Sequence, residues 1–219
     1  MPFTLQSARP DLDNVLSDFS DQLLEQKAIL RGHMMELRSE AAARDPDAPE
    51  RLAARFPIKL FQRYGPVVSG YVAIGDELDP GPLLARLQAQ GATIVYPRVE
   101  RGATADQPMT FHAAAPALFE PGPFSLSQPK AGAPQVRPSL VLAPLLAFDL
   151  RGTRLGYGKG HYDRTMAHLR SQGRVFYLGL GYAQQQADAV PAAKHDIPLD
   201  WVETPLSSLP LFLGRAMAR

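Results

Sequence analysis

The stretch Leu140-Val-Leu-Ala-Pro-Leu-Leu-Ala-Phe-Asp-Leu-Arg-Gly-Thr-Arg-Leu-Gly-Tyr-Gly-Lys-Gly-His-Tyr-Asp-Arg164, continued through Gly173 to Val175-Phe-Tyr-Leu-Gly-Leu-Gly181, decides the fold. Residues 140–147 form an apolar run suited to a central strand, and a glycine-rich loop follows as far as Gly160. A helix over 161–172, stopped by Gly173, and a strand over 175–181 complete a β-loop-α-β unit. Upstream, residues 67–74 are β-rich, 80–90 place Leu83, Leu84 and Leu87 at helical spacing, and 93–96 make a short strand before Pro97. A second strand–helix–strand unit implies parallel pairing. The expectation is an α/β fold, one domain with a mostly parallel central sheet flanked by helices.

At the N-terminus, Leu12, Val15, Leu16, Phe19 and Leu23 follow helical spacing, and helix formers continue to residue 43. This reads as one long or kinked helix, broken at 45–49, with a short second helix over 50–56 ended by Pro57. No period persists over 99–138, which holds seven prolines. This is a long loop walling a pocket, with a short strand at 109–112. The tail offers a strand at 201–203 and an apolar patch at 206–213.

Composition narrows the chemistry. The chain has 219 residues, 45% hydrophobic and 21% charged, which suits one folded domain. Lys plus Arg is 23 against 22 for Asp plus Glu. No global basic field therefore recruits nucleic acid or an anionic membrane, and any anion site must be local. There is no cysteine, so disulfides, thiolate metal sites and thiol nucleophiles are excluded. Without a signal pattern or an apolar run long enough to span a bilayer, a cytoplasmic protein is expected.

Alternating glycines ahead of a helix turn backbone N–H groups inward, and the helix N-terminus adds partial positive charge, so residues 152–160 suit a phosphate. A merely structural tight loop is the alternative. Arg151, Arg154, Lys159 and Arg164 against the single acid Asp163 favour the anion site. The spacing fits neither a P-loop nor the dinucleotide fingerprint, and no Gly-x-Ser-x-Gly elbow or zinc-like histidine spacing exists. Asp163 stands in the first turn of a helix, where the dipole favours a carboxylate in any case; the functional alternative is a Mg²⁺ ligand, with Asp196 as a second carboxylate or simply a turn residue. Lys27 and Arg31, at i and i+4, share a helix face roughly 6 Å apart along the axis and read as a solvated face or a ligand contact. Glu77 follows the first strand, where ligands gather in open α/β sheets, or it serves a helix cap, for which Asp79 is better placed.

These residues carry a resemblance. Arg154-Leu-Gly-Tyr-Gly-Lys-Gly-His-Tyr-Asp-Arg164, preceded by Pro144-Leu-Leu-Ala-Phe-Asp149, closely resembles the 5-formyltetrahydrofolate cyclo-ligase family. Lys27-x-x-x-Arg31, Asp76-Glu77, Tyr96-Pro-Arg-Val99, Glu120-Pro-Gly-Pro-Phe124 and His195-Asp-Ile-Pro-Leu-Asp200 match in the same order, over about residues 27–203. His161 stands where the family has tyrosine, and about 26 residues precede Lys27 as a helical extension (1–26) to the α/β domain (27–219).

The resemblance implies a fold similar to the sugar-phosphate isomerase/CoA-transferase-like group. It also implies ATP- and Mg²⁺-dependent cyclisation of 5-formyltetrahydrofolate to 5,10-methenyltetrahydrofolate, with release of ADP and phosphate. Carried over by position, Lys27, Arg31 and the loop Arg154, Leu155, Gly156, Tyr157, Gly158, Lys159, Gly160, His161 and Tyr162 meet ATP. Asp163 and Asp196 hold Mg²⁺, and Val72, Glu77, Tyr157 and His161 meet the folate. Lys159 and Arg154 are the catalytic candidates, by charge and position. The partner is a small molecule, and the chain is expected to be a monomer. An isomerase-type phosphate-binding enzyme or a non-catalytic relative are the alternatives; both leave the paired features Lys27/Arg31 and Asp163/Asp196 without a purpose.

Overall fold

The computed structural model describes residues 12–100, 102, 107–123 and 126–211, with side chains from Phe19 onward. Helix α1 (Leu12–Arg44) leads to α2 (Ala48–Arg55) and α3 (Ile58–Tyr64), then β1 (Val67–Ser69), α4 (Gly81–Ala89) and β2 (Thr93–Arg98). The proline-rich segment contributes β3 (Thr110–His112), β4 (Phe119–Pro121) and β5 (Ser127–Pro129). There follow β6 (Leu140–Pro144), β7 (Ala147–Phe148), β8 (Arg154–Leu155), α5 (His161–Ser171), β9 (Phe176–Leu180), β10 (Trp201–Glu203) and β11 (Ser208–Pro210).

Seven strands form one sheet in the order β11-β10-β9-β6-β1-β2-β3. The four inner pairings are parallel, and the two outer ones, β10 with β11 and β2 with β3, are antiparallel. Both strand–helix–strand units therefore pair as their patterns imply. β6 is central and apolar on both sides because both sides are covered. Its residues alternate: Leu140 and Leu142 pack with α2, α3 and α4, whereas Val141 and Ala143 pack with Met166 and Leu169 of α5. From β1 the chain crosses outward through α4 to β2, and from β6 it crosses the other way through α5 to β9. The crevice at the carboxyl ends of β1 and β6 is thus a topological switch point, where open α/β sheets bind ligands.

The structure departs from the sequence expectations at particular places. The 67–74 strand is only three residues long in the sheet, and residues 70–74, including Val72, run beyond its carboxyl end. The 140–147 run is broken after Pro144 because the Leu145 and Leu146 carbonyls accept hydrogen bonds from Gln185 Nε2 at 2.7 and 3.1 Å instead of joining the ladder. Residues 147–148 then pair with β8 in a separate hairpin. β2 passes through Pro97 without penalty. Thr93 N–H donates to Pro66 and Val95 O accepts from Gly70, so alternate residues face β1, and β1 ends opposite Val95 before an N–H at position 97 is needed.

The N-terminal helix is unbroken from residue 12 to 44, so the expected boundary at 26/27 falls inside one helix. Leu30, Met34 and Leu37 pack it onto Leu146, Ala147 and Leu155 of the hairpin region, while Phe19 is 72% exposed. Residues 1–11 of the expected extension, Phe124 and positions 212–213 of the tail patch lie outside the described residues. No described helix is long and apolar enough to cross a membrane.

Candidate active site

The 149–160 connection, read from sequence as one glycine loop, consists of two parts. The first is the β7–β8 hairpin, organised by Asp149. This fully buried carboxylate accepts the backbone N–H groups of Arg151, Thr153 and Val190 at 3.0 Å each, and the Arg151 guanidinium closes on it at 2.9 Å. Arg151 is therefore engaged in holding the hairpin. The second part, 156–160, is the open loop before α5. Gly158 (φ +86°) and Gly160 (φ +65°) adopt the left-handed conformation that side chains resist, and Gly160 is the residue from which α5 starts. A Cβ at Gly158 would come within 3.0 Å of Arg31 Nη2, so the loop and α1 touch here.

Four segments meet around this loop. From α1, Arg31 Nε donates to Gly156 O at 2.9 Å, and Lys27 Nζ lies 2.6 Å from Asp196 Oδ2, with both side chains mostly buried. From α5, Asp163 Oδ2 pairs with Arg154 Nη2 at 3.2 Å, and Oδ1 accepts the N–H of Ile197, the residue next to Asp196, at 3.1 Å. The two predicted carboxylates are thereby brought together from segments more than thirty residues apart. Arg154 lies against the rings of Tyr162 and Tyr177, 5.3 and 5.9 Å from their centroids. Burial opposes its charge, yet Tyr177 and Asp163 hold the guanidinium above its ordinary value, and its buried Nε has no hydrogen-bond partner in the structure.

His161 is half-buried and beside Arg164 and Lys159; burial first, then these two cations, pull its pKa below the usual histidine value. Both effects favour the uncharged imidazole. Lys159 is exposed, and its carbonyl accepts from Arg164 Nη2 at 2.7 Å.

Around Glu77 and Tyr157, two of the expected folate contacts, stands a residue that sequence reasoning missed. Arg38 of α1, 2% exposed, donates from Nη2 to the Tyr157 hydroxyl at 2.8 Å and to Asp76 Oδ1 at 2.9 Å, and its Nη1 lies 3.9 Å from Glu77 Oε1. Burial pushes the Glu77 carboxyl above the usual range, while the Ile74 N–H and Arg38 work the other way. Tyr157 and Val72 are each more than 40% exposed and accessible to a ligand. The signal for Arg38 was present: Lys27, Arg31, Met34 and Arg38 recur at i, i+4, i+7 and i+11, one face of a helix.

The sequence profile described as the 5-formyltetrahydrofolate cyclo-ligase family matches residues 24–205. The chain belongs to the 5-formyltetrahydrofolate cyclo-ligase family. Among its relatives, the 5-formyltetrahydrofolate cyclo-ligase of Mycolicibacterium smegmatis is 34% identical over 151 residues, 64% of this chain and 74% of the relative. That of Haemophilus influenzae is 25% identical over 186 residues, 80% of this chain and 95% of the relative. Among solved structures, the 5,10-methenyltetrahydrofolate synthetase of Aquifex aeolicus superposes with a TM-score of 0.67 at 25% identity, covering 84% of this chain and 92% of that one. The synthetase of Mycoplasma pneumoniae shares the fold at a TM-score of 0.62 and 20% identity, covering 82% and 98%. As a cyclo-ligase family member the chain is an enzyme, and its mixed α/β sheet is the fold of these synthetases.

Proposed function

We propose that this cyclo-ligase family chain converts 5-formyltetrahydrofolate to 5,10-methenyltetrahydrofolate, consuming ATP in the presence of Mg²⁺ and releasing ADP and phosphate. The observation that supports this reading is the convergence at the switch point of two helix cations, a left-handed glycine loop and two adjacent carboxylates. Lys27 is paired with Asp196, Arg31 with Gly156, and Arg154 with Asp163.

A formamide carbon is a weak electrophile, and its oxygen cannot depart as oxide. Phosphorylation answers both difficulties. The formyl oxygen attacks the γ-phosphorus of ATP as ADP leaves; N10 attacks the activated carbon and gives up its proton to solvent, and the C–O bond then breaks to release phosphate. Phosphoryl transfer of this kind needs alignment and positive charge rather than a protein nucleophile, in keeping with a cysteine-free chain.

Lys27, Arg31 and the 154–162 segment, with Leu155, Gly156, Gly158, Gly160 and Tyr162 shaping its backbone, bind the nucleotide in this scheme. Lys159 and Arg154 face the transferring phosphoryl group in this scheme. The hard oxygen donors Asp163 and Asp196 suit Mg²⁺, which is content with one or two carboxylates beside phosphate and water. When bound there, Mg²⁺ would neutralise phosphate charge. Lys27 and Arg154, which pair with these carboxylates in the structure, would then be placed to bind the nucleotide. Val72 and Glu77 bind the folate, with Tyr157 and His161 lying over it. Incubating the protein with 5-formyltetrahydrofolate, Mg²⁺ and ATP is expected to generate the near-UV absorbance of the methenyl product. No ATP-dependent signal refutes the reading.

A further inference from the structure

We propose that Arg38 is a positioning residue of this enzyme: from α1 it latches the 156–160 loop through the Tyr157 hydroxyl and holds the Asp76-Glu77 turn in its working place. The substrate side of this inference rests on the folate reading above; the latch itself does not.

The geometry is specific to a guanidinium. A single nitrogen, Nη2, donates to both Tyr157 and Asp76, which come from the glycine loop and from the turn after β1. Meanwhile Nη1 is directed towards Glu77, and the cation lies 5.6 Å from the Tyr157 ring centroid. One side chain thus ties three segments together. Nε and Nη1 have no hydrogen-bond partner although the residue is buried. An arginine placed only for stability would be expected to satisfy those groups, because buried donors are costly to leave unmade. Tyr157 is flanked by glycines and 45% exposed, so the loop has little packing of its own; α1 supplies the contacts at Arg31 and Arg38. A lysine offers a point charge without the fork and cannot reproduce this arrangement.

Glu77 is also faced by Tyr157 from the loop, Tyr71 after β1, Tyr162 from α5 and Asp76 of its own turn. Arg38 is the cation among these, and it favours the ionised carboxylate that would accept the N–H donors of a folate ring. Its loss would raise the Glu77 pKa further, so the acid limb of activity would move to higher pH.

Three variants test the proposal by two readouts. Tryptic cleavage after Lys159, followed by fragment mass, reports loop tethering without reference to catalysis. It is expected to accelerate about tenfold or more in Arg38→Met and in Tyr157→Phe. In turnover assays, Arg38→Met should raise KM for 5-formyltetrahydrofolate about tenfold, with a smaller change for ATP, and shift the acid limb of kcat/KM upward. Tyr157→Phe keeps the cation but loses the hydroxyl's own contact with Glu77, so it should move the limb less than Arg38→Met does, whereas Arg38→Lys should restore the limb but not the protection. Cleavage unchanged in both Arg38→Met and Tyr157→Phe, or an acid limb unmoved in Arg38→Met, overturns the proposal. If Arg38→Met does not fold, Tyr157→Phe decides through the cleavage rate. Failure of the functional reading is seen separately, as wild-type protein that forms no methenyl product.

Discussion

Lys159 is exposed on the loop, and its carbonyl accepts a hydrogen bond from Arg164 Nη2. Lys159→Met is expected to lower kcat about 10²- to 10³-fold, as for removal of one group facing transferring charge, while the thermal unfolding midpoint stays within about a degree. Unaltered turnover would remove Lys159 from the phosphoryl assignment. Much of the candidate site was legible at this scale because charged and glycine residues announce themselves: the fold brings Lys27, Arg31, Asp163, Asp196 and the loop into one region. Arg151 was counted towards the anion site and Arg38 was missed for one shared reason. Whether a cation faces a ligand or a carboxylate of the chain depends on what the fold places opposite it, and Asp149 and Asp76 become partners only after folding.

At the level of elements, the β7–β8 hairpin depends on a single carboxylate. Asp149 is wholly buried and satisfies three backbone donors, one of them Val190 from a distant segment. Asp149→Ala should cost on the order of 3 kcal/mol, measured by denaturant unfolding, because those N–H groups lose their acceptor in a dry site. Asp149→Asn keeps one acceptor oxygen and should cost less. A change below the error of the titration would show the hairpin to be held by apolar packing alone. The hairpin was illegible in the apolar run 140–147, since a strand and a turn of equal hydrophobicity look alike until Gln185 claims the Leu145 and Leu146 carbonyls. Pro97 misled in the opposite sense. A proline stops a strand only where a neighbour requires its N–H, and β1 has already ended.

Over the molecule as a whole, the parallel core followed from two strand–helix–strand patterns, whereas the antiparallel edges β3 and β11 are short and depend on tertiary neighbours. At one edge Glu203 of β10, 1% exposed, accepts hydrogen bonds from Trp201 Nε1 and Ser208 Oγ, and burial pushes its pKa up to about 7. The folded chain therefore holds this proton where the unfolded chain releases it. Stability from Glu203 is present below the ordinary carboxylate range and is lost as pH rises towards 7, by about 1–3 kcal/mol. Glu203→Gln should flatten that decline in unfolding titrations at pH 5 and pH 8; an equally steep decline would place its origin elsewhere. The unbroken α1 sets a constraint of a different kind. It carries Lys27 and Arg31 beside the 156–160 loop and Arg38 beside the Asp76-Glu77 turn, Lys27 and Arg38 being 11 residues or about 16 Å apart on one stiff rod. A tilt of that rod, as from repacking Leu30, Met34 or Leu37, displaces both groups in concert. On the proposed assignment of ATP to one end and folate to the other, selection acting on α1 packing would not retune affinity for one substrate without the other, and independent tuning would come from the segments that carry Val72 and Asp196.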